Sequence, residues 1–199
     1  MNPLSRQILA HVATLGEGEP ITAKGLLHLG ARAAVDQALT RLARRGELMR
    51  IARGLYVRPV ATRFGPRAPA AEKVVQALGR AFGEVVVQNG AAIANGLGLT
   101  TQVPVRPVYL TSGPSRRLSL GKQKVELRHA LPWQLVEPGT RAGDVLRALG
   151  WMGRGRAASA VAQLAQTLGP SEMTQLAALR AVAPGWLAQT VSDAMVGRG

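Results

Sequence analysis

Residues 22–59 read TAKGLLHLGARAAVDQALTRLARRGELMRIARGLYVRP. A short helix, a turn at Gly30, a second helix and two short strands fit them in that order. Between residues 31 and 45, Val35, Ala38, Leu39 and Leu42 recur at the i, i+3, i+4, i+7 spacing of a single apolar helix stripe. Gly46 stands where a glycine commonly ends a helix. From 47 to 59, Leu48, Ile51, Leu55 and Val57 are strand formers, and Gly54 supplies the reversal. The pattern predicts a helix-turn-helix with a β wing, a shape that sets one helix into a DNA groove.

Opposite the apolar stripe stand Ala33, Gln37, Thr40 and Arg44, flanked by Asp36 and Arg41. Gln, Thr and Arg are residue types that reach base edges or phosphates. Arg41, Arg44 and Arg45 crowd the last turn, where the plainer account is that they complement the helix dipole in water. Arg50, Arg53 and Arg58 are spread along the wing. A hairpin tipped by Arg53-Gly54 fits along a phosphate backbone or in a minor groove; its plainer account is a solvated cover for the bundle. Helix, wing and charge taken together favour DNA. Thr22 is the expected N-cap of the preceding helix, whose exposed amides, with Lys24 nearby, suit a phosphate. Most such helix ends are simply capped.

The chain has 199 residues, 47% of them apolar, enough for one domain or two small ones with a buried core. Lys and Arg number 25 against 11 acidic residues, a net charge of +14, which favours an anionic partner. The excess is not confined to one end: residues 1–66 hold ten basic and four acidic residues, residues 67–199 fifteen and seven. With no cysteine, disulfides and thiolate metal sites are excluded. No apolar run approaches the roughly 20 residues of a membrane span. The first residues lack a signal-peptide pattern, so a cytoplasmic location is expected.

Leu4, Ile8, Val12 and Leu15 predict a first helix over residues 3–15, and Ile21 a short strand that joins the wing. Residues 59–69, PVATRFGPRAP, carry three prolines and no periodicity. The expected layout is therefore a winged helix-turn-helix domain over 1–60, a linker over 61–69 and an α+β domain over 70–199. In the latter, 70–83 is an amphipathic helix through Val74, Val75, Leu78 and Phe82. Strands at 84–88 and 105–111 flank a brief helix at 90–98. A hairpin pairs 118–120 with 124–129 around Gly121-Lys122. Helices follow over 140–149, with Thr140 as N-cap, and over 157–168, 171–182 and 185–196. Strands first and helices last make the expected fold class α+β, ending in a helical segment.

Catalysis is hard to build from these residues. His11, His28 and His129 are isolated along the chain without metal-ligand spacing. There is no Gly-x-Ser-x-Gly elbow and no DxD pair. Gly153-Arg154-Gly155-Arg156 lacks the preceding strand of a phosphate loop and is better explained as an interhelical linker. No catalytic residue, metal or cofactor is expected. A second basic cluster comprises Arg116, Arg117, Lys122, Lys124 and Arg128. Alternation places Lys124, Glu126 and Arg128 on one strand face, with Arg116 and Arg117 across the hairpin. Three uses suit such a patch: a further phosphate-contacting surface, a dock for an acidic partner, or a solvated sheet face. Trp133, Trp151 and Trp186 are expected as core or domain-interface anchors rather than a base-stacking platform.

The run AVDQALTRLARRGELMRIARGLYVRP (34–59) resembles the N-terminal winged helix of AbiEi-type antitoxins of type IV toxin–antitoxin systems. The helix-end Arg-Gly-Glu-Leu, the wing Arg-Ile-Ala-Arg-Gly-Leu-Tyr and the closing Pro59 carry the likeness. VVQNGAAIANGLGLTTQVP (86–104), VYLTSG (108–113) and SRRLSLGKQKVEL (115–127) extend it through the second region. The resemblance implies a two-part protein. Its N-terminal part binds inverted repeats in its own promoter and represses the operon. Its C-terminal part is associated with neutralising a co-expressed nucleotidyltransferase-like toxin. On this chain the family's basic winged-helix surface falls on Arg41, Arg44, Arg45, Arg50 and Arg53, to which helix geometry adds Gln37 and Thr40. Inverted repeats require two copies, in a dimer or as cooperative monomers. An orphan winged-helix regulator would read identically. A protein-binding module working through the hairpin 116–128 is the rival from another class.

Overall fold

The computed structural model describes residues 2–196. The fold is mixed α+β: N-terminal helices and a small hairpin, a four-stranded sheet, and a C-terminal helical segment. The chain packs into two compact units, Met1–Glu84 with Arg116–Glu126, and Val85–Ser115 with Leu127–Gly199.

In the first unit, α1 (Pro3–Ala13) starts with Pro3 at its first position and Asn2 Oδ1 accepting from the amide of Leu4 at 3.1 Å. α2 (Arg32–Arg44) buries Val35, Ala38, Leu39 and Leu42, the four residues of the apolar stripe. It stops at Gly46, whose φ is 76°. β1 (Met49–Ala52) and β2 (Leu55–Val57) pair antiparallel, Met49 opposite Val57 and Arg50 opposite Tyr56. Ile21 joins them as expected, exchanging backbone hydrogen bonds of 2.8 and 3.0 Å with Tyr56. Ile8, Val12, Ile21, Leu26, Val35, Leu39, Leu42, Leu48 and Tyr56 share one core, which fixes α2 and the wing to each other.

The helix expected before the turn is shorter than the sequence suggests. It is a three-residue 3-10 turn, Lys24–Leu26, in which Thr22 Oγ1 accepts from the amide of Gly25 at 3.2 Å. Gly25 and Gly30 bracket too few residues to repay helix nucleation.

α3 (Ala71–Phe82) packs in this first unit, although it lies beyond the proline-rich stretch. Val74, Val75 and Leu78 are buried as expected, but Phe82 is 46% exposed, with the Arg116 guanidinium 5.3 Å from its ring centre. The loop after α1 holds the helix. A Cβ on Gly18 would stand 2.9 Å from the backbone of Lys73 and Val74, so only glycine permits this approach, and its φ of 87° adds to the requirement. On either side, Glu17 accepts from the Ala70 amide at 3.1 Å and pairs with Lys73, while Arg80 meets Glu19 at 2.9 Å. β5 (Arg116–Leu120) lies beside β1 in the same unit.

The second unit contains β3 (Val86–Gln88), α4 (Gly90–Gly96), β4 (Val108–Thr111), α5 (Arg141–Met152), α6 (Arg154–Ala165), α7 (Pro170–Ala178) and α8 (Gly185–Val196). β3 and β4 pair antiparallel, Val86 opposite Thr111. With β6 (Gln123–His129), the strand order of the sheet is β3-β4-β6-β5. Thr140 Oγ1 caps α5 by accepting from Gly143 N at 3.1 Å. Val145, Leu146 and Leu149 of α5 meet Val161, Leu164, Leu176, Leu187 and Val191 of the later helices. Asn89 Oδ1 caps α4 through the amide of Ala91 at 2.9 Å. Gly90 follows because a Cβ there would collide with the Arg147 carbonyl and Trp151, so the Asn-Gly of this stretch serves the α4–α5 contact.

The Gly-Arg-Gly-Arg run is not a linker. Gly153 alone makes the joint, at φ 72°, and Arg154 opens α6. Trp133 and Trp186 pack against the helical core and Trp151 against Ile93, Ala94 and Ala148, all three half-buried. Among the described residues no helix is long and apolar enough to cross a membrane.

Candidate nucleic-acid interface

The outer face of α2 follows from its inner one. With the apolar stripe turned to the core, Ala33, Gln37, Arg41 and Arg44 face water. Arg41 donates Nη2 to Gln37 Oε1 at 3.1 Å and Nε to the Gln37 carbonyl at 3.3 Å. This leaves the Gln37 amide NH2 as the group able to donate to a base-edge acceptor. Arg32 holds Asp36 at 3.0 Å, which offsets the acidic residue on the helix. Thr40 departs from the expectation. It is half-buried, and its hydroxyl donates to the Asp36 carbonyl at 2.9 Å, so the group is committed within the helix.

Arg44 is exposed and has no acidic partner among the described residues. Arg45 lies 4.0 Å from Glu47, a weak pairing. On the wing, Arg53 stands exposed at the hairpin tip beside Gly54, whose φ is 69°. Arg50 points from β1 with Nε 3.4 Å from the Ala52 carbonyl. Ala43, Gly46, Leu48, Met49, Arg50, Pro59 and Pro66 line a cleft where the end of α2 meets the wing. Arg58 has a different job: it donates to the carbonyls of Ala13 and Leu15 at 3.1 and 3.0 Å, closing the end of α1. Lys24 is exposed, but the three-residue turn it opens offers no array of helix amides for a phosphate.

The second basic cluster divides. Arg116 turns inward with Leu118 and Leu120, its side chain only 20% exposed, and forms a bidentate pair with Glu84. Its Nε is buried without a hydrogen-bond partner among the described residues. Arg117, on the opposite strand face, is exposed and 3.9 Å from Glu126. Lys122 is exposed at the turn, and Lys124 donates to Ser119 Oγ at 2.9 Å. Arg128 is exposed on the part of β6 that belongs to the second unit. The hairpin thus gathers Arg117, Lys122 and Lys124 in the first unit, without Arg116.

Two features were not legible in the sequence. His11 and His28, distant in sequence, sit edge to face with ring centres 5.4 Å apart. In the second unit, Gln88, Asn89, Pro104, Arg106, Pro107 and Tyr109 help line a pocket of about 240 Å³. Its walls come from β3, β4, α4 and the irregular stretch before β4, which no short-range pattern groups together.

Fold and outer face together define a winged helix-turn-helix unit with a basic surface, joined to an α+β unit. Residues 7–175 match the Family of unknown function (DUF6088), and the chain belongs to that family. No curated protein and no solved structure matches it.

Proposed function

We propose that this protein binds double-stranded DNA through the outer face of α2 and the β1–β2 wing, and that it is an antitoxin that represses its own operon. The observation that carries DNA binding is the pair Arg44 and Arg53. Both are exposed without an acidic partner among the described residues, one on the helix and one at the hairpin tip, and both elements are locked to one apolar core. Rigid presentation reduces the ordering cost on contact with phosphates. Arg41, Arg45 and Arg50 add positive charge, and Gln37 adds a base-reading group. Two copies on inverted repeats would place two α2 helices about one DNA turn apart, roughly 34–36 Å.

The antitoxin role rests on the resemblance of residues 34–59, 86–104, 108–113 and 115–127 to AbiEi-type antitoxins. In that role the second unit counteracts a co-expressed nucleotidyltransferase-like toxin. The hairpin reading, a dock for an acidic protein, is weakened by the inward turn of Arg116.

Fluorescence anisotropy with the duplex upstream of the gene, against scrambled duplex, tests DNA binding across a salt series. The expected result is preference for the upstream duplex at physiological salt, with a log–log slope of about 0.9 per phosphate contacted. Equal binding to both duplexes that vanishes with salt overturns site-specific regulation. Co-expression with the adjacent gene product tests the antitoxin role. Growth arrest by that product and rescue by this chain are expected; unrelieved arrest overturns it.

A further inference from the structure

The stretch between the wing and α3, expected as a linker, is a built loop. Val60 and Arg67 exchange two backbone hydrogen bonds, each 2.9 Å. Inside them Thr62 and Gly65 exchange two more, of 3.2 and 3.0 Å. Thr62 Oγ1 donates to the Gly65 carbonyl at 2.7 Å and accepts from Phe64 N at 3.2 Å. At the tip Phe64 is 86% exposed, with the Arg63 guanidinium 4.6 Å from its ring centre.

A single apolar side chain in water needs no explanation by itself. Here three facts coincide. The ring is carried on a closed loop rather than a loose one. The guanidinium beside it has no acidic partner among the described residues, whereas Arg67, at the base, faces Glu17 at 3.8 Å. And the loop springs from the candidate interface: its Pro66 lines the cleft shared by Gly46 at the end of α2 and Arg50 of the wing. A phenyl ring has no donor or acceptor with which to read a major groove. Apolar side chains flanked by arginine are used in minor grooves, where they wedge against or between base steps.

Building on the DNA-binding role proposed above, we propose that residues 62–65 act as a second wing. Phe64 enters the minor groove beside the site contacted by α2, and Arg63 holds the adjacent phosphate. The ring supplies an apolar contact that is insensitive to salt, and the guanidinium an ionic one that is not.

The test uses the full chain and the upstream duplex, with 2-aminopurine placed at steps flanking the α2 site. Phe64→Ala is expected to weaken binding about tenfold with the log–log salt slope unchanged, and to remove the 2-aminopurine fluorescence rise seen with the parent. Arg63→Ala is expected to lower the slope by about 0.9. Thermal melts of both variants should match the parent, since both side chains lie outside the core. Parent-like binding and fluorescence by Phe64→Ala, while Arg44→Ala loses affinity, would overturn the second wing and leave the DNA reading intact. A parent protein that does not distinguish its own duplex from scrambled DNA would overturn both.

Discussion

The face of α2 with its wing and the β5–β6 hairpin are both rich in arginine and lysine, yet the two regions use the charge in opposite ways. On α2 the apolar stripe occupies one side completely, so Arg41 and Arg44 have nowhere to go but water. On β5 the strand period puts Arg116 on the same side as Leu118 and Leu120, and the fold answers by bringing Glu84 to it. Arg147 shows the inward use again in the second unit. Its side chain, 1% exposed, donates to the carbonyls of Gln134 and Val136 at 3.3 and 2.8 Å and to Asp144 at 2.7 Å. A count of basic residues therefore overstates the surface available to an anionic partner. Which arginines remain free depends on where the nearest carboxylates and carbonyls end up.

That contrast can be broken by substitution. The largest effect is expected at Arg147→Ala, which strips two half-buried carbonyls of their donor and leaves a void beside α5. Urea unfolding should show a loss of about 3–4 kcal/mol. Next comes Arg116→Ala. It removes the guanidinium from Glu84, whose side chain is 11% exposed, at a cost of about 2–3 kcal/mol because Arg116 keeps some solvent contact. Its DNA affinity, measured where the variant is folded, should stay close to that of the parent.

Arg44→Ala reverses the pattern. Stability should stay within about 0.5 kcal/mol of the parent, while binding to the upstream duplex weakens by about 1–2 kcal/mol, roughly tenfold in Kd. A stable Arg116→Ala that loses DNA, beside a DNA-competent Arg44→Ala, would move the working surface to the hairpin.

The smallest effect sharpens how α3 is attached. The hydrogen bond from Lys73, then that from the Ala70 amide, with Arg67 contributing its charge, hold the Glu17 carboxyl below its ordinary range. A carboxyl depressed in the folded state stabilises above its unfolded value and loses that contribution as pH falls through the folded one. The difference in melting temperature between the parent and Glu17→Gln should accordingly be greatest at neutral pH. It should shrink as pH drops below the usual carboxylate range. A pH-independent difference would show that the charge on Glu17 plays no part in holding α3.

Much of the helical layout was legible because it rests on short-range patterns. The stripe of α2, the stop at Gly46, the Arg53-Gly54 turn and the cap at Thr140 all depend on residues within one or two turns, or on alternation. The exposed set Gln37, Arg41 and Arg44 follows directly from the buried set. Legibility failed where partners are far apart. Glu17 reaches Lys73, and Glu84 reaches Arg116, across tens of residues. The closed loop at 60–67 was hidden for a nearer reason: its prolines and lack of periodicity suggested a linker, while a bridge between Val60 and Arg67 closes it. Thr40 was misplaced for a local reason: a threonine in a helix can bond its hydroxyl back to the preceding turn, and periodicity does not report whether it does.

The sequence by itself determined most of the elements, the inner and outer faces of α2 and the excess of positive charge, because periodicity and backbone preference act over a few residues. Only the tertiary structure decided which charges stay free, that α3 joins the winged helix, and that Phe64 stands on a fixed loop beside the wing. The first two depend on contacts between residues remote in sequence, which form only when the packed core brings their elements together; the third depends on where that core sets a loop closed by its own near neighbours.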